Sequence, residues 1–184
     1  SLVGSEMCIR DRPLDEHIKG KISLFCNVPQ DHVLQNLDVD VLYEAPLAME
    51  KEHLAQVACQ CLKLECPKPD LSDWEEMIDA WKHPLHQVSI ALVGKYTALH
   101  DAYISVVEAL KHGGVANRTL VNIRWVDSEL LNPDNAAETL AGVSGILVPG
   151  GFGGRGIEGM IVAIQYAREN RIPFLGLCLG MQLS

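Results

Sequence analysis

Short apolar runs alternate with segments of helical periodicity in the second half of the chain. Four of these runs have the length and composition of buried strands, at 88–93, 121–126, 145–148 and 172–177. Helices are predicted between them, at 101–112, 133–140 and 156–170. Strictly alternating strands and helices predict an α/β fold: a doubly wound parallel sheet with its functional loops at the carboxyl ends of the strands.

Two of the predicted helices carry apolar residues at helical spacing. The inner face of the first is predicted to hold Ile104, Val107, Ala109 and Leu110, and that of the last Ile161, Ile164 and Ala167. Gly113 and Gly114 are predicted to end the first helix with a left-handed cap.

The first half of the chain has a different pattern. Residues 13–66 predict a helix-like start, a strand at 21–26, a turn at 29–31, a short apolar stretch at 39–43 and a helix over 50–64. Prolines then open a connector over 67–87. Within it, Ser72 followed by Glu75 forms a capping-box pattern, which predicts a helix ending at 81 or 82, before Pro84. The chain is therefore expected to divide into four segments, 1–12, 13–66, 67–87 and 88–184. Residues 1–12 continue no pattern and resemble a spurious translated end.

Cys178 is the strongest candidate for a catalytic residue. It follows the last apolar run and has Gly176 and Gly180 two places away on either side. Glycines at these positions allow a sharp strand-to-helix turn without Cβ clashes. Such a turn presents the thiol at the edge of the sheet, where the N-terminus of the next helix favours a thiolate. The spacing indicates a nucleophile elbow; a buried structural cysteine is the alternative.

A glycine-rich loop follows the strand at 145–148. Its sequence, PGGFGGRG, leaves backbone amides unobstructed, which suits an anion or a developing oxyanion. It fits neither the dinucleotide fingerprint nor the phosphate-loop pattern. A flexible surface turn is the alternative. Together, the glycine loop and the cysteine turn indicate acyl chemistry at the top of a parallel sheet.

Composition narrows the function classes. The chain has 15 basic and 24 acidic residues and a net charge of −9, which argues against nucleic-acid binding. No apolar run approaches the roughly 20 residues of a membrane-spanning helix. The six cysteines lack the paired spacing of a zinc site or a disulfide framework, so we expect no metal here and reduced thiols in a cytoplasmic protein.

The motifs PGGFGGRG and GLCLGMQ resemble class I, triad-type glutamine amidotransferases. KISLFCNVP and LVGKYTALHDAYISVVEALKHGG narrow the resemblance to the CTP synthase family, over residues 13–182. The resemblance implies the tail of an α/β amidoligase domain at 13–66 and a truncated amidotransferase domain at 88–184. It further implies ATP-dependent amination of UTP to CTP, with ammonia from glutamine.

The resemblance also implies roles for particular residues. Cys178 would form a γ-glutamyl thioester, and the N–H groups of Gly151 and Leu179 would form the oxyanion hole. The positions that would hold glutamine are Gly151, Leu179, Gly180, Met181 and Gln182. Lys21 would contact UTP or CTP, although a solvated surface lysine is the alternative; Leu37, Asp38 and Val39 would line the ATP adenine. Phe152 would shape the pocket wall or simply pack.

Other implications concern ligands and assembly. ATP and Mg²⁺ would bind mainly through residues outside this sequence, GTP would activate glutamine hydrolysis, and the full-length protein would be a homotetramer. The family's His-x-Glu segment is missing, so we expect this segment alone to be inactive, and poorly soluble because of an exposed apolar sheet edge. Two alternatives stay open: another class I glutamine amidotransferase, or a catalytically silent regulatory or assembly module.

Overall fold

The computed structural model describes residues 12–184, which form two compact units divided between Asp79 and Ala80. This division falls inside the predicted connector. The first unit contains the helices α1 (Glu16–Cys26), α2 (Ala45–Lys51) and α3 (Leu54–Leu62), with 3-10 turns at Gln30–His32 and Leu42–Glu44. The helix α4 (Ser72–Lys82) runs across the division.

The strand predicted at 21–26 is wrong, because these residues belong to α1. Asp15 caps the helix by accepting a hydrogen bond from the N–H of Ile18 at 2.7 Å, and Asn27 ends it in a left-handed conformation with φ 52°. An apolar run of five or six residues does not distinguish a strand from a helix by periodicity alone. The caps on either side decide the outcome here.

The helix predicted over 50–64 is interrupted at His53, which has φ 62° and separates α2 from α3. The helix predicted in the connector is confirmed as α4. Its start is stabilised by the Asp70 carboxylate, which accepts a hydrogen bond from the N–H of Ser72 at 3.0 Å. Hydrogen bonding to the side chain of Ser72, and then to its N–H, lowers the pKa of Asp70.

The second unit, Ala80–Ser184, is an α/β sandwich around a parallel sheet. Its strands are β1 (His86–Gly94), β2 (Thr119–Asp127), β3 (Gly145–Val148) and β4 (Phe174–Gly176), in the spatial order β2-β1-β3-β4. The connecting helices are α5 (Ile104–Ala116), α6 (Ala136–Thr139) and α7 (Ile157–Glu169), and the short α8 (Leu179–Gln182) follows β4. Every pairing is parallel, so the predicted fold class is confirmed.

Alternate residues of each strand point to opposite faces of the sheet, and both faces are covered. Ala91, Val93 and Ile146 pack on one side in a cluster that includes Met160 of α7. Leu92 packs on the other side with residues of α5. Burial on both faces explains why β3 and the second half of β1 appear in the sequence as continuous apolar runs rather than alternating ones.

The predicted cap at Gly113 and Gly114 is wrong, because α5 continues through both residues to Ala116. Gly114 is buried, and a Cβ atom there would lie 2.5 Å from the carbonyl oxygen of Thr119. The glycine is therefore needed for close packing of α5 on β2. The helix begins only at Ile104, after a 3-10 turn at His100–Tyr103, and Ile104 is exposed.

The inner face predicted for α7 is partly wrong. Ile161 is 38% exposed, whereas Gly159, Met160, Ala163 and Ala167 are buried. A Cβ atom at Gly159 would lie 1.9 Å from the carbonyl oxygen of Ser128, which shows how closely the helix approaches the loop after β2. Such an approach selects small residues for the packed face instead of the branched ones.

Candidate active site

The three loops with candidate chemistry all follow the carboxyl ends of strands. The chain leaves β1 toward β2 on one side and leaves β3 toward β4 on the other, so β1 and β3 flank the point where the winding direction reverses. In open parallel sheets, ligands bind in the crevice at this switch point. Lys95 follows β1, the loop 149–156 follows β3, and Cys178 lies just beyond β4.

Cys178 occupies the strained conformation of a nucleophile elbow. Its backbone has φ 50° and ψ −104°, which is rare for any residue other than glycine. A Cβ atom at Gly176 would lie 2.6 Å from backbone atoms of Gly180 and Met181. A Cβ atom at Gly180 would lie 2.1 Å from the carbonyl oxygen of Val148. The predicted reason for both glycines is therefore confirmed.

The thiol of Cys178 is exposed, which excludes the alternative of a buried structural cysteine. The turn around it is held by backbone hydrogen bonds. The N–H of Gly180 donates to the carbonyl of Leu177 at 3.0 Å, and the N–H of Leu177 donates to the carbonyl of Val148 at 2.9 Å. The second bond joins the end of β4 directly to β3, the strand that leads into the glycine loop.

The glycine loop lies against the elbow. A Cβ atom at Gly150 would be 3.5 Å from the Cβ of Cys178 and 4.0 Å from its Sγ. A Cβ atom at Gly151 would be 3.7 Å from the side chain of Leu179. No carbonyl within residues 12–184 accepts a hydrogen bond from the N–H of Gly151 or of Leu179. These two donors are thus available beside the thiol, as an oxyanion hole requires.

The structure also brings in Lys95, to which sequence analysis assigned no role. Lys95 is 4% exposed, and its ammonium group donates hydrogen bonds to the carbonyls of Phe152, at 3.2 Å, and Gly153. The residues around it in the sequence give no signal of this role. Phe152 itself is 90% exposed, so the packing role considered for it is not realised.

A second cation lies at the far end of the same loop. The guanidinium of Arg155 forms an ion pair with Glu129 at 2.8 Å and lies 5.8 Å from the centre of the Tyr96 ring. It also donates a hydrogen bond to the carbonyl of Lys95 at 3.5 Å. The loop is therefore connected to the segment that follows β1 both at its middle, through Lys95, and near its end, through Arg155.

The remaining residues predicted for glutamine lie on α8. Met181 and Gln182 are exposed, whereas Gly180 is buried against β3. The residues predicted for nucleotides belong to the first unit. Lys21 is exposed on α1, and the segment 37–39 follows the 3-10 turn at Gln30–His32.

Of the six cysteines, Cys8 lies outside the described residues, and the five others are free thiols. A hydrogen bond with Cys59 raises the pKa of Cys66. Between Arg12 and Ser184, no group of three or more His, Cys, Asp or Glu side chains could hold a metal ion. No helix in that range is long and apolar enough to span a membrane.

Comparison with known proteins agrees with this geometry. Residues 98–184 match the family model described as glutamine amidotransferase class-I, and residues 5–64 match the model described as CTP synthase N-terminus. The parallel sheet, the cysteine elbow and the class-I match together define the second unit as a class I glutamine amidotransferase domain.

The relatives identify the family. CTP synthase of Ruminiclostridium cellulolyticum is 57% identical over 97% of this chain and 33% of its own length. CTP synthase of Caldanaerobacter subterraneus subsp. tengcongensis is 54% identical, again over 97% of this chain and 33% of its own length. A solved glutaminase domain of Trypanosoma brucei CTPS, with bound acivicin, is 47% identical and covers 52% of this chain and 38% of its own chain, with a TM-score of 0.48. The chain belongs to the CTP synthase family, and it spans about a third of the length of the curated relatives it matches.

Proposed function

We propose that the protein carrying this segment is a glutamine-hydrolysing CTP synthase, a ligase that aminates UTP to CTP at the expense of ATP. The observation that carries the proposal is the strained, exposed Cys178 elbow facing a glycine loop. This elbow occurs in a chain that also matches the CTP synthase N-terminus. The second match is what favours this reaction over those of other class I amidotransferases.

The chemistry of the site follows from its parts. The thiolate of Cys178 attacks the side-chain amide carbon of glutamine, and a C–S bond forms while the carbonyl oxygen gains negative charge. The N–H groups of Gly151 and Leu179 stabilise that oxyanion. Collapse of the tetrahedral intermediate breaks the C–N bond and, with one proton transferred to nitrogen, releases ammonia. Water then hydrolyses the thioester to glutamate.

The proton transfers need a general base, for which the family uses a His-x-Glu segment outside residues 1–184. None of the seven histidines here follows the glycine loop in sequence. We assign glutamine binding to Gly151 and to the residues of α8. Of these, Met181 and Gln182 have side chains free to contact it.

The synthetase half of the reaction is assigned to the first unit and to residues beyond this sequence. Lys21 would contact the pyrimidine nucleotide, and Leu37, Asp38 and Val39 the adenine of ATP. The exposure of Lys21 and the part-buried side chains of Leu37 and Val39 fit these roles. Four further properties are proposed from the family alone: binding of Mg²⁺, activation by GTP, a homotetramer and a cytoplasmic location. The domain boundaries, with an amidoligase tail at 13–66, a connector at 67–87 and an amidotransferase domain at 88–184, are proposed on the same basis.

A pair of assays on the full-length protein tests the proposal. CTP formation is measured from UTP and ATP with either glutamine or ammonium as the nitrogen donor. We expect Cys178→Ala to abolish the glutamine-dependent reaction and to leave the ammonium-dependent reaction unchanged, whereas Cys61→Ala, at another exposed cysteine, leaves both intact. Glutamine-dependent activity in Cys178→Ala would contradict the proposal. Ammonium-dependent activity alone in the wild type would indicate the silent module instead.

A further inference from the structure

Lys95 is the buried charge closest to the proposed chemistry, and the mechanism above gives it no role. It lies directly after β1, at the switch point of the sheet, with 4% of its surface exposed. No carboxylate within residues 12–184 forms an ion pair with it. A buried ammonium group is costly unless hydrogen bonds satisfy it. The carbonyls of Phe152 and Gly153 provide those bonds.

The backbone of Lys95 is fixed by a neighbouring phenol. The hydroxyl oxygen of Tyr103 accepts hydrogen bonds from the N–H of Lys95 at 3.1 Å and from the N–H of Tyr96 at 3.3 Å. Gly94 allows this approach, because a Cβ atom there would lie 2.6 Å from the Tyr103 hydroxyl. The lysine therefore extends from a rigid base in the sheet toward a loop that lacks such support.

The loop needs external support because of its composition. Gly150, Gly151, Gly153 and Gly154 have no side chains with which to pack, and glycine loses more conformational entropy on ordering than any other residue. Gly153 also has φ 73°. The two carbonyls that bond Lys95 follow Gly151 immediately in the chain. Fixing their peptide planes restricts the orientation of the neighbouring peptides.

The lysine stem also lies close to the proposed oxyanion residue. A Cβ atom at Gly151 would lie 3.3 Å from Cδ and 3.4 Å from Cε of Lys95, and 3.7 Å from the side chain of Leu179. The lysine stem and the side chain of Leu179 thus both lie near the point where a Cβ atom of Gly151 would be. The ammonium group of Lys95 therefore bonds the loop at Phe152 and Gly153, and its stem lies beside the adjoining Gly151.

We infer that Lys95 is a positioning residue: it holds the glycine loop so that the N–H of Gly151 is directed at the oxyanion formed at Cys178. The inference deepens the proposed function and rests on it. Lys95 contacts neither the thiol nor the substrate in this account. Its effect is exerted through the loop, and it should therefore appear in the rate of acyl transfer more than in the binding of glutamine.

The experiment compares Lys95→Met with Lys111→Met in the full-length protein. Methionine keeps an unbranched apolar stem and removes the donors. Lys111, paired with Glu108 on the surface of α5, is the matched control. Two reagents report on Cys178: iodoacetamide, which needs only an accessible thiol, and a glutamine-like diazoketone, whose reaction needs the oxyanion site. Hydrogen exchange of the amides in 150–156 reports on loop order directly.

We expect Lys95→Met to slow diazoketone labelling and the kcat of glutamine hydrolysis by about 10²-fold, as a catalytic group displaced by about 1 Å can do. Alkylation by iodoacetamide and the KM for glutamine should change less than about threefold. Exchange in 150–156 should accelerate while exchange in β1 and β2 stays constant. Lys111→Met should match the wild type in every measurement.

The outcomes distinguish the positioning role of Lys95 from the proposed function on which it rests. Wild-type diazoketone labelling in Lys95→Met would overturn the inference, even if the loop became more mobile. In Lys95→Met, iodoacetamide alkylation and hydrogen exchange in β1 and β2 could change as much as diazoketone labelling and exchange in 150–156. That result would show a general folding role for Lys95 and would also overturn the inference. If the wild type itself is not labelled by the diazoketone, the proposed function fails. Hydrogen exchange then decides alone whether Lys95 orders the loop.

Discussion

A methyl group added at Gly180 tests the elbow geometry most economically. In Gly180→Ala, the new Cβ would lie 2.1 Å from the carbonyl oxygen of Val148 and 2.8 Å from its carbonyl carbon. The first contact is 0.9 Å shorter than the 3.0 Å below which real Cβ contacts essentially do not occur. Both contacts are with backbone atoms, so no side chain can rotate away to relieve them. Either β3 or the start of α8 has to move.

The size of the effect follows from two opposing terms. Overpacking of this kind costs about 1–3 kcal/mol, and sometimes more. Alanine in place of a helical glycine returns up to about 1 kcal/mol. A net destabilisation of about 2 kcal/mol is expected. For a unit of this size, that corresponds to a fall of roughly 8 °C in the transition temperature.

Differential scanning calorimetry of the full-length protein measures that transition, and iodoacetamide alkylation reports the environment of Cys178. The control is Gly154→Ala in the glycine loop, where a Cβ atom would have no neighbour within 4 Å and the backbone has no positive φ. It should shift the transition by less than about 2 °C. If Gly180→Ala and Gly154→Ala are indistinguishable in both measurements, the packing of the elbow against β3 is not as described.

Three further predictions concern strain, packing and protonation in the same unit. Cys178→Gly should be more stable than Cys178→Ala by about 1 kcal/mol in thermal unfolding, because only glycine adopts φ 50°, ψ −104° without strain; equal stabilities would deny the strain. Gly113→Ala should stabilise the protein by up to about 1 kcal/mol, because its Cβ would meet nothing within 4 Å. Gly114→Ala should destabilise it, because its Cβ would lie 2.5 Å from the carbonyl oxygen of Thr119. A change of stability in the same direction for both variants would refute this packing. Tyr103→Phe should cost about 1–3 kcal/mol at neutral pH, because the phenyl ring leaves two backbone N–H groups without an acceptor. Burial raises the pKa of Tyr103, so its stabilising contribution is present below the ordinary tyrosine value near 10 and is lost as the pH rises through the folded-state pKa; the wild type should therefore lose stability above about pH 10 more steeply than Tyr103→Phe.

Much of the second unit could be predicted because the central strands, β3 and the second half of β1, are buried on both faces. Such strands are visible as apolar runs without any tertiary information, and β3 agrees with its predicted range residue for residue. The elbow could be predicted for a related reason. Its two glycines are required by backbone contacts that recur wherever a strand turns sharply into a helix at a nucleophile.

The errors had two sources: tertiary contacts that override a local signal, and helix caps that decide the structure of a short apolar run. The pair Gly113–Gly114 is typical of a helix end, yet α5 continues through it, and Gly114 is glycine because α5 lies so close to β2. The apolar run at 21–26 suits a strand, but the caps at Asp15 and Asn27 make it a helix. Lys95 carried no local signal of its role, because the carbonyls it bonds are more than fifty residues away in the chain. Contacts of that kind depend on strand order, which a single sequence does not specify.

The most direct measurement for the whole account is a peptide map of the full-length protein after exposure to a glutamine-like diazoketone. Three of the described cysteines are exposed, Cys61, Cys66 and Cys178, so the protein contains its own accessibility controls. We predict a single adduct, on the peptide containing Cys178, and its suppression by excess glutamine. Equal labelling of the three exposed thiols, or labelling of Cys178 that glutamine does not suppress, would contradict the assignment of this thiol as the acyl-transfer nucleophile.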